Sequence, residues 1–157
     1  MGTRSTIAVA HADGTVTQVY CHWDGYIENN GKLLVENYNS RELAKLLVSF
    51  GDMSSLDKYV IPAPESAHSY GNREPGITVY YGRDRGETGT GPRTFLSMDD
   101  YRSNMQSEEY DYLFTAGAWF VREHGEFAGI VTELLGLAAK GGNYARASRL
   151  KRISRSG

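Results

Sequence analysis

The stretch Arg4-Ser5-Thr6-Ile7-Ala8-Val9-Ala10-His11-Ala12-Asp13-Gly14-Thr15-Val16-Thr17-Gln18-Val19-Tyr20-Cys21-His22-Trp23 decides how the chain is built. Two runs rich in β-branched residues flank an Asp-Gly pair, the sequence form of a β-hairpin closed by a type I′ turn. A two-residue turn at Asp13-Gly14 sets a register in which Ala10 faces Thr17, Ile7 faces Tyr20, Ser5 faces His22 and Arg4 faces Trp23. Alternation then puts Ser5, Ile7, Val9, Val16, Tyr20 and His22 on one face. Arg4, Thr6, Ala8, Ala10, Val19, Cys21 and Trp23 take the other. Both faces are partly apolar, which predicts a hairpin in the middle of its sheet.

Outward from the hairpin, Asp24-Gly25 breaks the strand and Asn29-Asn30-Gly31 reads as a turn. Asn39 with Glu42 is a capping box, and Leu43, Leu46, Leu47 and Phe50 follow as one helical stripe. Gly51 sits where a left-handed residue ends a helix. Residues 57–76, with three of the four prolines, read as a loop excursion. Ile77–Tyr81 alternates as a strand, and Ser97 with Asp100 opens a second helix. Tyr110–Thr115 and Ala118–Arg122 form a second hairpin around Ala116-Gly117. A third helical stripe runs from Phe127 to Ala138. The fold class predicted is α+β: a mostly antiparallel sheet of about five strands (two hairpins plus one strand), with about three helices packed on it. The domain spans 1–142, and 143–157 is a basic C-terminal tail.

Charge divides the chain in the same way. All 19 acidic residues fall in 1–139 with 11 of the 17 Lys and Arg, a net of −8; residues 140–157 carry +6. The tail cations are Lys140, Arg146, Arg149, Lys151, Arg152 and Arg155. Three readings stand: an arm on nucleic acid, a segment docking on an acidic body, or a solvated terminus. No run reaches the roughly 18–20 apolar residues of a membrane span, so no membrane role is expected. The opening residues do not read as a secretory signal, and a single cysteine fits a reducing cytoplasm. The single cysteine, Cys21, rules out an internal disulfide and a cysteine-based zinc cage. Eleven tyrosines fit either a β-rich core or an aromatic binding surface.

Chemistry has few candidates. In the predicted register Ser5 faces His22, and Asp24 shares the parity of His22, so a hydroxyl, an imidazole and a carboxylate are brought to one face. That would make a small hydrolase, although no nucleophile elbow surrounds Ser5. On the other face Arg4 and Trp23 form a cation–π pair. With Tyr26, Arg83 and Arg85 they supply stacking and phosphate contacts for a nucleotide-binding or sequestering protein. Gly86 and Gly91 have Walker A spacing, but Pro92-Arg93 stand where a P-loop needs Lys-Ser/Thr. His11, His22, His68 and His124 lie in unrelated segments, so no metal site and no cofactor are expected.

The segments Thr3-Arg4-Ser5-Thr6-Ile7-Ala8 and Val19-Tyr20-Cys21-His22-Trp23-Asp24-Gly25-Tyr26 together resemble a group of small uncharacterised proteins encoded by bacteriophages and prophages. Gly51–Leu56, Tyr81–Glu87, and Tyr110–Phe114 with Trp119 are similar blocks. The resemblance covers residues 3–122 and brings no catalytic residues with it. It implies an accessory protein acting in the bacterial host cytoplasm: a non-catalytic binder of a host macromolecule, such as an anti-CRISPR-type inhibitor of defence. The resemblance implies a host protein complex as partner; the charge of the basic tail, which lies outside the resemblance, adds nucleic acid, and a homodimer is a further expectation.

Overall fold

The computed structural model describes residues 2–141. Its strands are β1 (Ser5–Ala10), β2 (Val16–Cys21), β3 (Met53–Ser55), β4 (Val79–Tyr80), β5 (Arg93–Phe95), β6 (Tyr110–Thr115), β7 (Ala118–Arg122) and β8 (Ala128–Gly129). Its α-helices are α1 (Lys32–Asn37), α2 (Arg41–Ser49), α3 (Tyr81–Arg85), α4 (Met98–Asn104) and α5 (Ile130–Gly141), and a π-helical turn over Ile27–Gly31 leads into α1.

The α+β class holds, but the sheet differs from the one expected. Eight strands form one mixed sheet in the order β4-β3-β2-β1-β6-β7-β8, with β5 also paired to β2. Five α-helices, not three, accompany it among the described residues. β1 runs antiparallel to β2 and parallel to β6; β2 and β3 are also parallel. The strands not expected, β3, β5 and β8, have two or three residues each, too short to show alternation, and the expected strand over 77–81 is cut to Val79–Tyr80 because Tyr81 opens α3. Parallel pairing of β1 with β6 joins segments about a hundred residues apart, and no local turn signals it.

The first hairpin corrects the register. His11 N–H donates to the Thr15 carbonyl at 2.8 Å and Gly14 N–H to the His11 carbonyl at 3.0 Å. Only Gly14 of the loop has a positive φ, +92°. The connection is therefore a three-residue loop, a type I turn followed by a left-handed glycine, rather than the type I′ turn expected. The Asp13 carboxylate accepts from both Thr15 N–H and Thr15 Oγ1, which secures this alternative. Ser5 then pairs with Cys21, Ile7 with Val19 and Ala10 with Val16. One residue of slip exchanges the faces of β2.

The exchange gives each face a coherent core. Ile7, Val9, Val19 and Cys21 point to the side covered by α1, α2 and α5. Ala8, Val16 and Leu113 point to the other side, where Phe95 of the neighbouring strand β5 flanks them and Tyr101 of α4 packs on them. Four buried tyrosines belong to this frame. The hydroxyls of Tyr38, Tyr80 and Tyr112 donate to the carbonyls of Asp57, Leu47 and Gly25 at 2.6–2.7 Å. Tyr101 packs edge-on against Phe95. All four fill the core, and Tyr38, Tyr80 and Tyr112 also satisfy carbonyls outside the strand ladder, whereas the buried Tyr101 hydroxyl has no partner among the described residues.

Helix α2 is turned relative to its expected stripe. Ser40, not Asn39, caps it, accepting from Leu43 N–H at 3.2 Å. Ala44, Leu47 and Val48 are buried, whereas Leu43 and Leu46 face outward. Ala44 is the small residue that lets the helix lie close on the sheet; leucine there would hold it off. Gly51 has φ +84° just beyond the helix, as its position predicts.

Candidate functional site

The corrected register separates the residues of the hydrolase reading. Ser5 is fully buried, and its Oγ accepts from Asn30 Nδ2 at 3.3 Å. Asn30 also reaches Cys21 Sγ at 3.5 Å, so the π-helical turn fills this pocket with its own amide. His22 lies on the opposite face, where Nδ1 is 2.8 Å from the Tyr20 hydroxyl. Asp24 is exposed at a left-handed position, φ +55°. The trio does not assemble. Burial pushes the Cys21 thiol up to about 11, so it is no ready nucleophile either.

The expected cation–π pair is also not formed. Trp23 packs edge-on against His22, with ring centroids 4.7 Å apart, and Arg4 is exposed with its amide donating to Glu109 Oε1. Tyr26 stands at the surface, and its carbonyl accepts from the amides of Asn29 and Asn30. Among the described residues no three His, Cys, Asp or Glu side chains converge as metal ligands do. No helix among them is long and apolar enough to cross a membrane. Lys140 falls in the last turn of α5, and Arg146, Arg149, Lys151, Arg152 and Arg155 lie outside the described residues.

The three arginines around the glycine-rich loop have different fates. Arg83 is structural: Nε donates to Asp84 Oδ1 at 2.7 Å and NH2 to the Thr78 carbonyl at 2.9 Å. Its NH1 donates to the Val60 carbonyl, so one guanidinium ties the excursion 57–76 to α3. Asp84 completes the tie, accepting from Tyr80 N–H at 2.8 Å and standing 3.2 Å from His68 Nε2. His68 Nδ1 accepts from Glu74 N–H, and its Nε2 lies close to the Asp84 carboxylate without a well-aligned hydrogen bond to it. Burial pushes the Asp84 carboxyl up, but the hydrogen bonds from Arg83 and Tyr80, with the His68 imidazole close by, outweigh it and hold the group below its ordinary value. Arg93 is paired with Asp52 at 3.3 Å. Arg85 has no carboxylate partner among the described residues and lies over the Tyr70 ring, 4.9 Å from its centroid.

One surface stands apart from this tied-down frame. The outward leucines of α2 meet the start of the excursion in an open groove of about 430 Å³. Leu43, Leu46, Tyr59 and Ile61 line it and are 44%, 37%, 63% and 56% exposed. Glu36 and Lys58 stand at its rim. Neighbouring large apolar side chains left in water in this way mark a contact surface more often than scattered single residues do. The sequence pattern offered Leu43 and Leu46 as core; only the rotation of the helix, which buries Ala44, Leu47 and Val48, shows them to be surface. Tyr59 and Ile61 lie in a segment with no periodicity to single them out. Compared with family models, curated proteins and solved structures, the chain matches none of them.

Proposed function

We propose that this chain is a non-catalytic binding protein that engages a host protein complex, in keeping with its resemblance to phage accessory proteins. The observation that carries this reading is the apolar groove of Leu43, Leu46, Tyr59 and Ile61. A groove with an apolar floor and a charged rim has the layout of a protein–protein contact. The body's net charge of −8 over residues 1–139 would steer it toward a basic partner surface, as an inhibitor of nucleic-acid-processing or defence machinery requires. Ser5, the nucleophile of the hydrolase reading, is buried against Asn30 and Cys21, which favours binding over catalysis.

The test is capture from nuclease-treated host lysate with the full chain and with Leu46→Asp/Ile61→Asp. Both replaced side chains are exposed, so the fold is retained, as circular dichroism and the unfolding midpoint would show. A defined complex held by the native chain and lost by the variant supports the reading. Equal recovery by both, or no complex with either, overturns it.

A further inference from the structure

We propose that Arg73 and Arg85, gathered on the ring of Tyr70, form a recognition site for the oligophosphate group of a small ligand. The Tyr70 ring carries two guanidinium groups, with Arg73 Cζ 4.6 Å and Arg85 Cζ 4.9 Å from its centroid. Neither cation has a carboxylate within salt-bridge distance among the described residues, whereas Arg83, Arg93 and Arg122 each have one. Arg4, Arg41 and Arg102 lack such a partner as well, but among the described residues only Arg73 and Arg85 share a single aromatic ring.

The pair is held in place by the fold. Tyr70 N–H donates to the Asp84 carbonyl at 3.0 Å, which fixes the ring relative to α3. Tyr81, the first residue of α3, stacks on Tyr70 with centroids 6.0 Å apart and planes 29° from parallel. Arg73 Nε donates to the Tyr70 carbonyl at 3.0 Å, so its stem is anchored at both ends. With Nε given to that carbonyl, Arg73 keeps the N–H groups of its two terminal nitrogens for an acceptor, and the Arg85 guanidinium donates no hydrogen bond among the described residues, so both present donors to a phosphate. Anchoring removes part of the entropy that a free arginine loses on binding. Two like charges beside one ring also repel each other, and a bridging polyanion converts that cost into attraction. The site differs from the one expected around Arg4, Trp23 and Arg83 in every member except Arg85. It stands independently of the apolar groove.

Pyrophosphate and a nucleoside triphosphate share this chemistry, and calorimetric titration of the full chain with each at low salt separates them. Saturable binding of both, weakened roughly tenfold or more by Arg73→Ala and by Arg85→Ala, is expected. Equal affinities would assign recognition to the phosphates alone. Tighter binding of ATP would add a base contact to the same site, and both results support the proposal. Arg73 and Arg85 are exposed, so the variants keep the fold, which circular dichroism checks. Absence of binding at millimolar ligand overturns the proposal. So does binding unchanged in the double variant, which would place the phosphate on other cations such as those of residues 140–157.

Discussion

Arg83 and Asp84 are adjacent in α3, and the forked contact between them closes the excursion onto the sheet. Arg83 Nε meets Asp84 Oδ1 at 2.7 Å and NH2 meets Oδ2 at 3.0 Å, while the same guanidinium holds the carbonyls of Thr78 and Val60. The Asp84 carboxyl is held below its ordinary value, so its contribution to stability has a defined sign with pH. It is fully present above the unfolded-state value of about 4 and is lost as pH falls through the lower folded value. Denaturant titrations from pH 6 down to the acid limit should show this loss in the native chain. Asp84→Asn should be less stable at neutral pH and show a flatter acid slope. A slope unchanged in the variant would assign the acid sensitivity to other carboxylates.

Gly51 makes a second contact that a side chain would destroy. Its φ is +84°, and a Cβ added there would collide with the Thr90 carbonyl, which accepts from Asp52 N–H at 2.8 Å. The turn after α2 and the loop before β5 therefore touch through backbone alone. Gly51→Ala combines the left-handed penalty with a clash against main chain, and a loss of about 2–4 kcal/mol is expected. The midpoint of urea unfolding measures it. A change below about 0.5 kcal/mol would mean that the Thr90 loop shifts freely.

The second hairpin offers a stabilising change. Ala116 and Gly117 have φ of +52° and +77° between the paired residues Thr115 and Ala118, a two-residue turn of type I′. Alanine is a poor occupant of the first position, where asparagine is strongly preferred. Ala116 is exposed, so Ala116→Asn should raise stability by about 1 kcal/mol, read as a higher melting temperature. The same change at Ala12, whose φ is negative, should give no such gain.

The two hairpins explain what could be read in advance. Both strand pairs were legible from alternation, but the turn types were not. Asp13-Gly14 carries the stronger type I′ signal, yet Asp13 is used to bond Thr15, and the loop takes three residues. Ala116-Gly117 carries the weaker signal and adopts the type I′ form. The one-residue difference in the first turn puts His22 on the face opposite Ser5, so the Ser5–His22 contact of the hydrolase reading is not formed. Helix α2 was legible in extent but not in rotation, because 43, 46, 47 and 44, 47, 48 both satisfy a helical period. The Arg73–Tyr70–Arg85 cluster was beyond reach: Tyr70 lies in a segment without periodicity, and its meeting with α3 depends on long-range contacts to Asp84.

Cys21 tests the corrected register directly. In the expected register its side chain shared a face with Arg4, Thr6 and Trp23; in the structure it pairs with Ser5 and points into the core beneath the π-helical turn. Burial lifts its thiol to about 11, and Asn30 Nδ2 lies 3.5 Å from the sulfur. Thiolate is the reactive form, so at pH 8 the native thiol is both shielded and protonated. A chromogenic disulfide reagent should leave native Cys21 untouched and modify it fully in denaturing urea. Because β2 lies inside the sheet between β1 and the strands β3 and β5, labelling should require the opening that unfolds the core. The labelling rate should therefore rise with urea as steeply as the global unfolding equilibrium. Rapid modification without denaturant would show that the end of β2 opens locally, and would place Cys21 within reach of solvent beside Trp23.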